Sequence, residues 1–78
     1  MPTLNLSQEE IRLLKYERYT YGSMMIQKRL SSVYLMSTTD FNDSQIAQIS
    51  GCHRNILPLW RDKCLYEGLF SLYINHLK

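Results

Sequence analysis

Two helix starts in this chain use the same device, and that repetition constrains the fold more than any other feature. In Leu6-Ser7-Gln8-Glu9-Glu10-Ile11, the Ser7 hydroxyl can accept from the Glu10 backbone while the Glu10 side chain reaches back to the Ser7 N–H. Leu6 and Ile11 are spaced to close over that turn as a hydrophobic staple. Phe41-Asn42-Asp43-Ser44-Gln45-Ile46 repeats the pattern, with Asn42 as cap, Gln45 as reciprocal partner, and Phe41 and Ile46 as staple. Caps of this kind typically contribute about 1 kcal/mol each. Only 3 Gly and 2 Pro are present, too few for the many tight turns of an all-β fold. The expected class is therefore all-α.

Length limits what those helices can build. A chain of 78 residues buries only about 60% of its unfolded surface, which allows one small core and no second layer. A dedicated substrate cleft is not expected, and no spacing places a nucleophile beside a base or two carboxylates as a dyad. The sequence reads as a non-enzymatic domain over residues 6–72, with 1–5 and 73–78 as tails. Hydrophobic residues at 45% and charged residues at 21% match a globular chain.

The spacing predicts four helices. The first runs from Gln8 to about Tyr21, with Gly22 supplying a left-handed stop. Arg12, Lys15, Glu17 and Arg18 fall on its wet side. The second runs from about Ser23 to Met36, with Ile26, Leu30, Val33 and Tyr34 as the buried stripe and Lys28, Arg29, Ser31 and Ser32 facing away. Ser37-Thr38-Thr39-Asp40 reads as a polar loop. A short third helix covers Asp43 to Ile49 or Ser50, Gly51 makes a turn, and a fourth helix begins near His53 and ends before Gly68.

No run approaches the roughly 20 apolar residues that span a bilayer. The opening MPTLNLSQEE lacks the basic-then-apolar pattern of a secretory signal, so no membrane is expected and the default location is cytoplasmic. Cys52 and Cys64 read as free thiols, because a helix joining them would hold them about 18 Å apart. With His53 and His76 they offer no Cys-x-x-Cys spacing for zinc. No metal or cofactor is expected.

Residues 42 to 63 have the layout of a helix-turn-helix. Ile46 packs inward, and Ala47 is small where the next helix crosses. Gly51 adopts a positive φ without steric cost. Cys52, Leu57 and Trp60 supply the apolar contacts that lock the second helix onto the first. Such units place the second helix in the major groove of DNA. His53, Arg54 and Asn55 would face outward there, Arg54 toward a guanine edge and Asn55 toward an adenine edge. Ser44 and Gln45 could donate to a phosphate, and Arg61, Lys63, Lys28 and Arg29 could add to the grip on the backbone.

These residues carry a more specific likeness. A capped helix, then Ile46-Ala47, Gly51, Trp60 and a closing Glu67-Gly68-Leu69 resemble the N-terminal DNA-binding domain of mariner-related bacterial insertion-sequence transposases, over roughly residues 6 to 72. The resemblance implies a homeodomain-like helix-turn-helix that reads double-stranded DNA ends for a mobile element. The family's catalytic carboxylates lie in a later domain that these residues do not include. The sequence departs from the family pattern at three places. His53 stands where Ser or Thr usually starts the recognition helix, Leu57-Pro58-Leu59 stands where basic residues are expected, and Ser50 replaces an aliphatic residue. Pro58 leaves two local structures open: a kinked helix, or an irregular lead-in from Cys52 to Leu57 with the helix starting at Pro58.

Charge sets the scale of any DNA affinity. The net charge is +2, low for a DNA binder. Lys28 and Arg29 are unopposed within residues 23 to 39, whereas residues 40 to 52 carry only Asp40 and Asp43. The alternative to DNA binding is a degenerate domain serving as a protein-interaction module or homodimer interface through Leu57, Leu59, Phe70, Leu72 and Tyr73. Trp60 and most of the six tyrosines read as core and rim rather than as stacking platforms for bases.

Overall fold

Both repeated starts form as their residues dictate. In the computed structural model, which describes residues 2–74, Ser7 Oγ accepts from Glu10 N at 3.1 Å and Glu10 Oε1 accepts from Ser7 N at 3.0 Å. Asn42 and Gln45 make the equivalent pair at 2.9 Å each. These caps open α1 (Gln8–Thr20) and α3 (Asp43–Ser50). Between them lies α2 (Met24–Thr38), and α4 (Leu57–Glu67) follows. A 3₁₀ turn over Arg54–Ile56 leads into α4, and a second over Leu69–Tyr73 follows it. The architecture is all-helical, and among the described residues no helix is long and apolar enough to cross a membrane. Residues 75–78, including His76 and the end of the expected tail, lie outside the described residues.

Gly22 is not a left-handed stop. Among the described residues only Gly51 and Gly68 have positive φ. The chain leaves α1 at Tyr21 in an extended conformation, which turns the Tyr21 ring edge-on to Tyr73 with centroids 5.1 Å apart. The Gln27 side-chain amide donates to the Tyr21 carbonyl, and Ser23 Oγ caps α2 by accepting from Ile26 N at 3.3 Å. An extended link two residues before a new N-cap has no need of a left-handed residue.

Two further expectations for α2 are corrected. The helix continues past Met36 through Ser37 and Thr38, whose hydroxyls donate to the Val33 and Tyr34 carbonyls at 2.8 Å each. Hydroxyls that bond back to the preceding turn are accommodated within a helix, although the same residues also favour turns. Ser31 and Ser32 do not face away but are buried. Ser31 Oγ accepts from Arg18 Nε at 3.0 Å, and Ser32 Oγ donates to the Lys28 carbonyl at 2.8 Å. Their small size lets neighbouring helices close on α2, which packs against α1, α3, α4 and the final 3₁₀ segment.

Pro58 settles the start of α4. The regular helix begins at Leu57, not near His53, and Pro58 is its second residue. An N–H at that position has no intrahelical acceptor, so its loss costs nothing there. Cys52 to Ile56 form the irregular lead-in. The core draws Leu14 from α1, Leu30, Val33 and Met36 from α2, Ile46 from α3, Leu57 from α4 and Leu72 from the final segment, all fully buried. Leu4 is also buried, with the Thr3 and Leu4 N–H groups donating to the Met36 carbonyl at 3.0 and 3.3 Å. The packed unit thus takes in Leu4 and Tyr73, one residue from each expected tail.

Candidate nucleic-acid interface

The turn between α3 and α4 is built on one carbonyl. Gly51, at φ 75°, and Cys52 both donate their N–H to the Ala47 oxygen, at 2.9 and 3.1 Å. Buried Ala47 leaves room for that reversal, and Cys52 packs its side chain under it, with Sγ 3.8 Å from Ser32 Oγ. The chain emerges at His53, whose Nδ1 accepts from Asn55 N at 3.2 Å and so caps the 3₁₀ turn. His53 therefore has a local structural role, while its ring remains exposed.

Arg54 and Asn55 are exposed beside it. Arg54 Nη1 donates to Ser44 Oγ at 3.1 Å, joining a base-edge candidate on the lead-in to a phosphate candidate at the start of α3. Gln45 is exposed one residue further along, with its side chain committed to the cap of α3. His53, Arg54, Asn55, Ser44 and Gln45 thus fall on two short segments that meet through one hydrogen bond.

The other cations differ in how far they are engaged. Arg61 Nη2 lies 2.6 Å from Asp43 Oδ1, pinning α4 to the first turn of α3. Its Nε is buried without a partner among the described residues. Lys63 pairs with Glu67 one turn on, in an exposed contact at 3.1 Å. Arg29 is drawn to the far end of the chain, where its Nη1 donates to the Leu72 and Ile74 carbonyls at 3.3 and 3.0 Å. Lys28 remains exposed, and its Cε would lie 3.9 Å from a Cβ built on Gly51. Of the four expected phosphate cations, Lys28 alone is both beside the turn and without an ion-pair partner among the described residues.

Arg18 is a residue that sequence reasoning missed. Read as part of the wet face of α1, it is instead half-buried against α2. Its guanidinium carbon lies 4.6 Å from the ring centroids of both Tyr19 and Tyr34. No signal within α1 marks this, because two of its partners, Ser31 and Tyr34, come from the next helix. Trp60 is partly buried against the core, as its spacing suggested. Of the alternative interaction surface, Leu57 and Leu72 belong to the core, whereas Leu59 and Phe70 are exposed. Comparison with family models, with curated proteins and with solved structures gives no match.

Proposed function

We propose that this chain is a non-enzymatic module that binds double-stranded DNA through α3, the Gly51 turn and the lead-in to α4. In this reading it acts as a homeodomain-like helix-turn-helix of the transposase type. The observation that carries it is the contact between Arg54 and Ser44, with His53 and Asn55 exposed beside them. Two elements that a helix-turn-helix lays against a groove and its phosphates present donors at one edge. Arg54 and Asn55 read base edges, Ser44 and Gln45 donate to phosphate, and Lys28 adds charge beside the turn. Arg61, Lys63 and Arg29 serve mainly as internal ties.

The test is fluorescence anisotropy of a labelled duplex with the full chain, at about 50 and about 200 mM salt. Binding at the lower salt that falls steeply at the higher, and that drops when Arg54 and Asn55 are both changed to Ala, is the expected result. Flat anisotropy at low salt refutes DNA binding.

A second reading has its own observation. Leu59, Leu65 and Tyr66 on α4 are 62, 61 and 80% exposed, and Asp62 lies among them. An apolar and acidic helix face suits a protein partner or a second copy better than a phosphate backbone. Sedimentation of the native chain beside a Leu59→Ser, Tyr66→Ser double variant separates the readings. Self-association lost in the variant supports the interface, while DNA binding unchanged in the variant assigns that face no part in it.

A further inference from the structure

A cleft of about 190 Å³ opens between α1, α2 and the end of α3, with neither Arg54 nor Asn55 in its lining. Arg18, Gln27, Lys28, Ser31 and Ser50 line it beside apolar and aromatic neighbours, and among the described residues no carboxylate does. Arg18 is held in place before any ligand arrives. Its Nε is spent on Ser31 Oγ at 3.0 Å, and Tyr19 and Tyr34 flank the guanidinium. That leaves the two terminal nitrogens, which make no hydrogen bond among the described residues, as a fixed fork. A fork of this kind matches two oxygens of a phosphate.

Ser50 gives a second, independent sign. It is only 9% exposed, and its hydroxyl oxygen is closed to solvent with no hydrogen-bond partner among the described residues. A buried hydroxyl left unpaired is unfavourable unless something completes it. Lys28, exposed on the same cleft, brings a second positive charge.

We propose that this cleft is a phosphate-binding site. The Arg18 fork takes two phosphate oxygens, Lys28 neutralises the group, and the Ser50 hydroxyl, unpaired just behind the lining, turns outward to donate to it. The phosphate belongs either to the DNA backbone or to a small phosphorylated molecule. The site itself does not depend on the DNA-binding reading, and a backbone phosphate seated here would extend that reading from the turn to α1.

The experiment is a heteronuclear NMR titration of the full chain, following the Arg18 Nε–Hε and Ser50 amide resonances at constant ionic strength. The probes are inorganic phosphate, dimethyl phosphate and a short duplex. Saturable shifts with inorganic phosphate are expected, weakened about tenfold by Lys28→Gln, which removes one charge from an exposed position. Arg18→Lys, which keeps charge but lacks the fork, should not retain native affinity. Ser50→Ala should raise the melting temperature while weakening phosphate binding, an opposition that a purely structural role would not produce.

Shifts of the same resonances with duplex and with dimethyl phosphate support the site and assign it to the DNA backbone. Shifts with inorganic phosphate alone support it and assign it to a phosphate monoester. Flat anisotropy together with a phosphate response removes the DNA reading and leaves the cleft standing. No saturable shift with inorganic phosphate, or shifts unchanged in both the Lys28 and Arg18 variants, overturns the proposal.

Discussion

The Tyr73 hydroxyl donates to Glu17 Oε1 at 2.6 Å, joining residues 56 positions apart. This bond closes the last helical turn of the described chain onto α1, with the rings of Tyr21 and Phe70 packed against the same phenol at 5.1 and 5.6 Å. Removing the hydroxyl in Tyr73→Phe keeps the ring packing and deletes only the bond. The pair is only partly buried, so a cost of about 1 kcal/mol is expected, below the usual range for a bond to a charged group because solvent screens it. Urea unfolding of the variant beside the native chain measures it.

Stability should fall in alkali, and the sign follows from two groups. Burial, with a smaller contribution from the Glu10 charge, raises the Cys64 thiol above its ordinary 9.0. Burial, then the hydrogen bond to Glu17, raises the Tyr73 phenol well above its ordinary 10.0. Between the unfolded and folded values the unfolded chain loses these protons first, so it binds fewer protons than the native state and the unfolding free energy drops as pH rises. The contribution is intact below about pH 9 and declines above it. Thermal melts from pH 7 to pH 11 should show the decline, smaller in Tyr73→Phe.

Gly51 and Gly22 should respond in opposite ways to alanine. A Cβ at Gly51 meets Lys28 Cε only at an ordinary 3.9 Å, so space is not the obstacle, but φ at 75° is. Gly51→Ala should cost about 1–2 kcal/mol from that strain. Gly22 has ordinary φ and open space, so Gly22→Ala should leave stability unchanged or raise it by about 0.4–1 kcal/mol. Denaturant midpoints of the two variants check both signs.

Asp43→Asn should trade stability for charge. It removes the carboxylate that holds Arg61 at 2.6 Å and an acidic group from the first turn of α3. The expected loss is about 1 kcal/mol, since both side chains are part-exposed. With Arg61 released and one negative charge gone, the proposed DNA binding should tighten and its salt dependence steepen by about one counterion. Anisotropy across a salt series, with unfolding measured in parallel, tests both halves.

What was legible in the sequence lay within a few residues of itself. The caps at Ser7 and Asn42, the left-handed turn at Gly51 and the inward Ile46-Ala47 pair are local chemistry, and each formed as written. The end of α1 was misread because the partner of Tyr21 is Tyr73, more than 50 positions away. Ser31 and Ser32 looked like surface residues because hydroxyls usually are, yet their acceptors and donors lie on or across buried helix faces. Arg61 and Arg29 read as binding cations because Asp43 and the Leu72 carbonyl, their actual partners, are 18 and 43 residues distant. Exposure of Arg54 and Asn55 was legible from the turn that precedes them.

Gly51 and Gly68, at φ 75° and 93°, bracket α4 with two backbone conformations that residues bearing a side chain rarely adopt. Leu57, Cys64 and Trp60, with the Arg61–Asp43 pair, fix the seat of the stretch between them, while most of its remaining side chains face water. Such a stretch behaves as an exchangeable cassette. Its outer surface can be rewritten, by selection or by a protein engineer, without renegotiating how the chain enters or leaves it. Novelty in what this scaffold engages would therefore arise fastest between those two glycines, with the three preceding helices changing slowly as its frame.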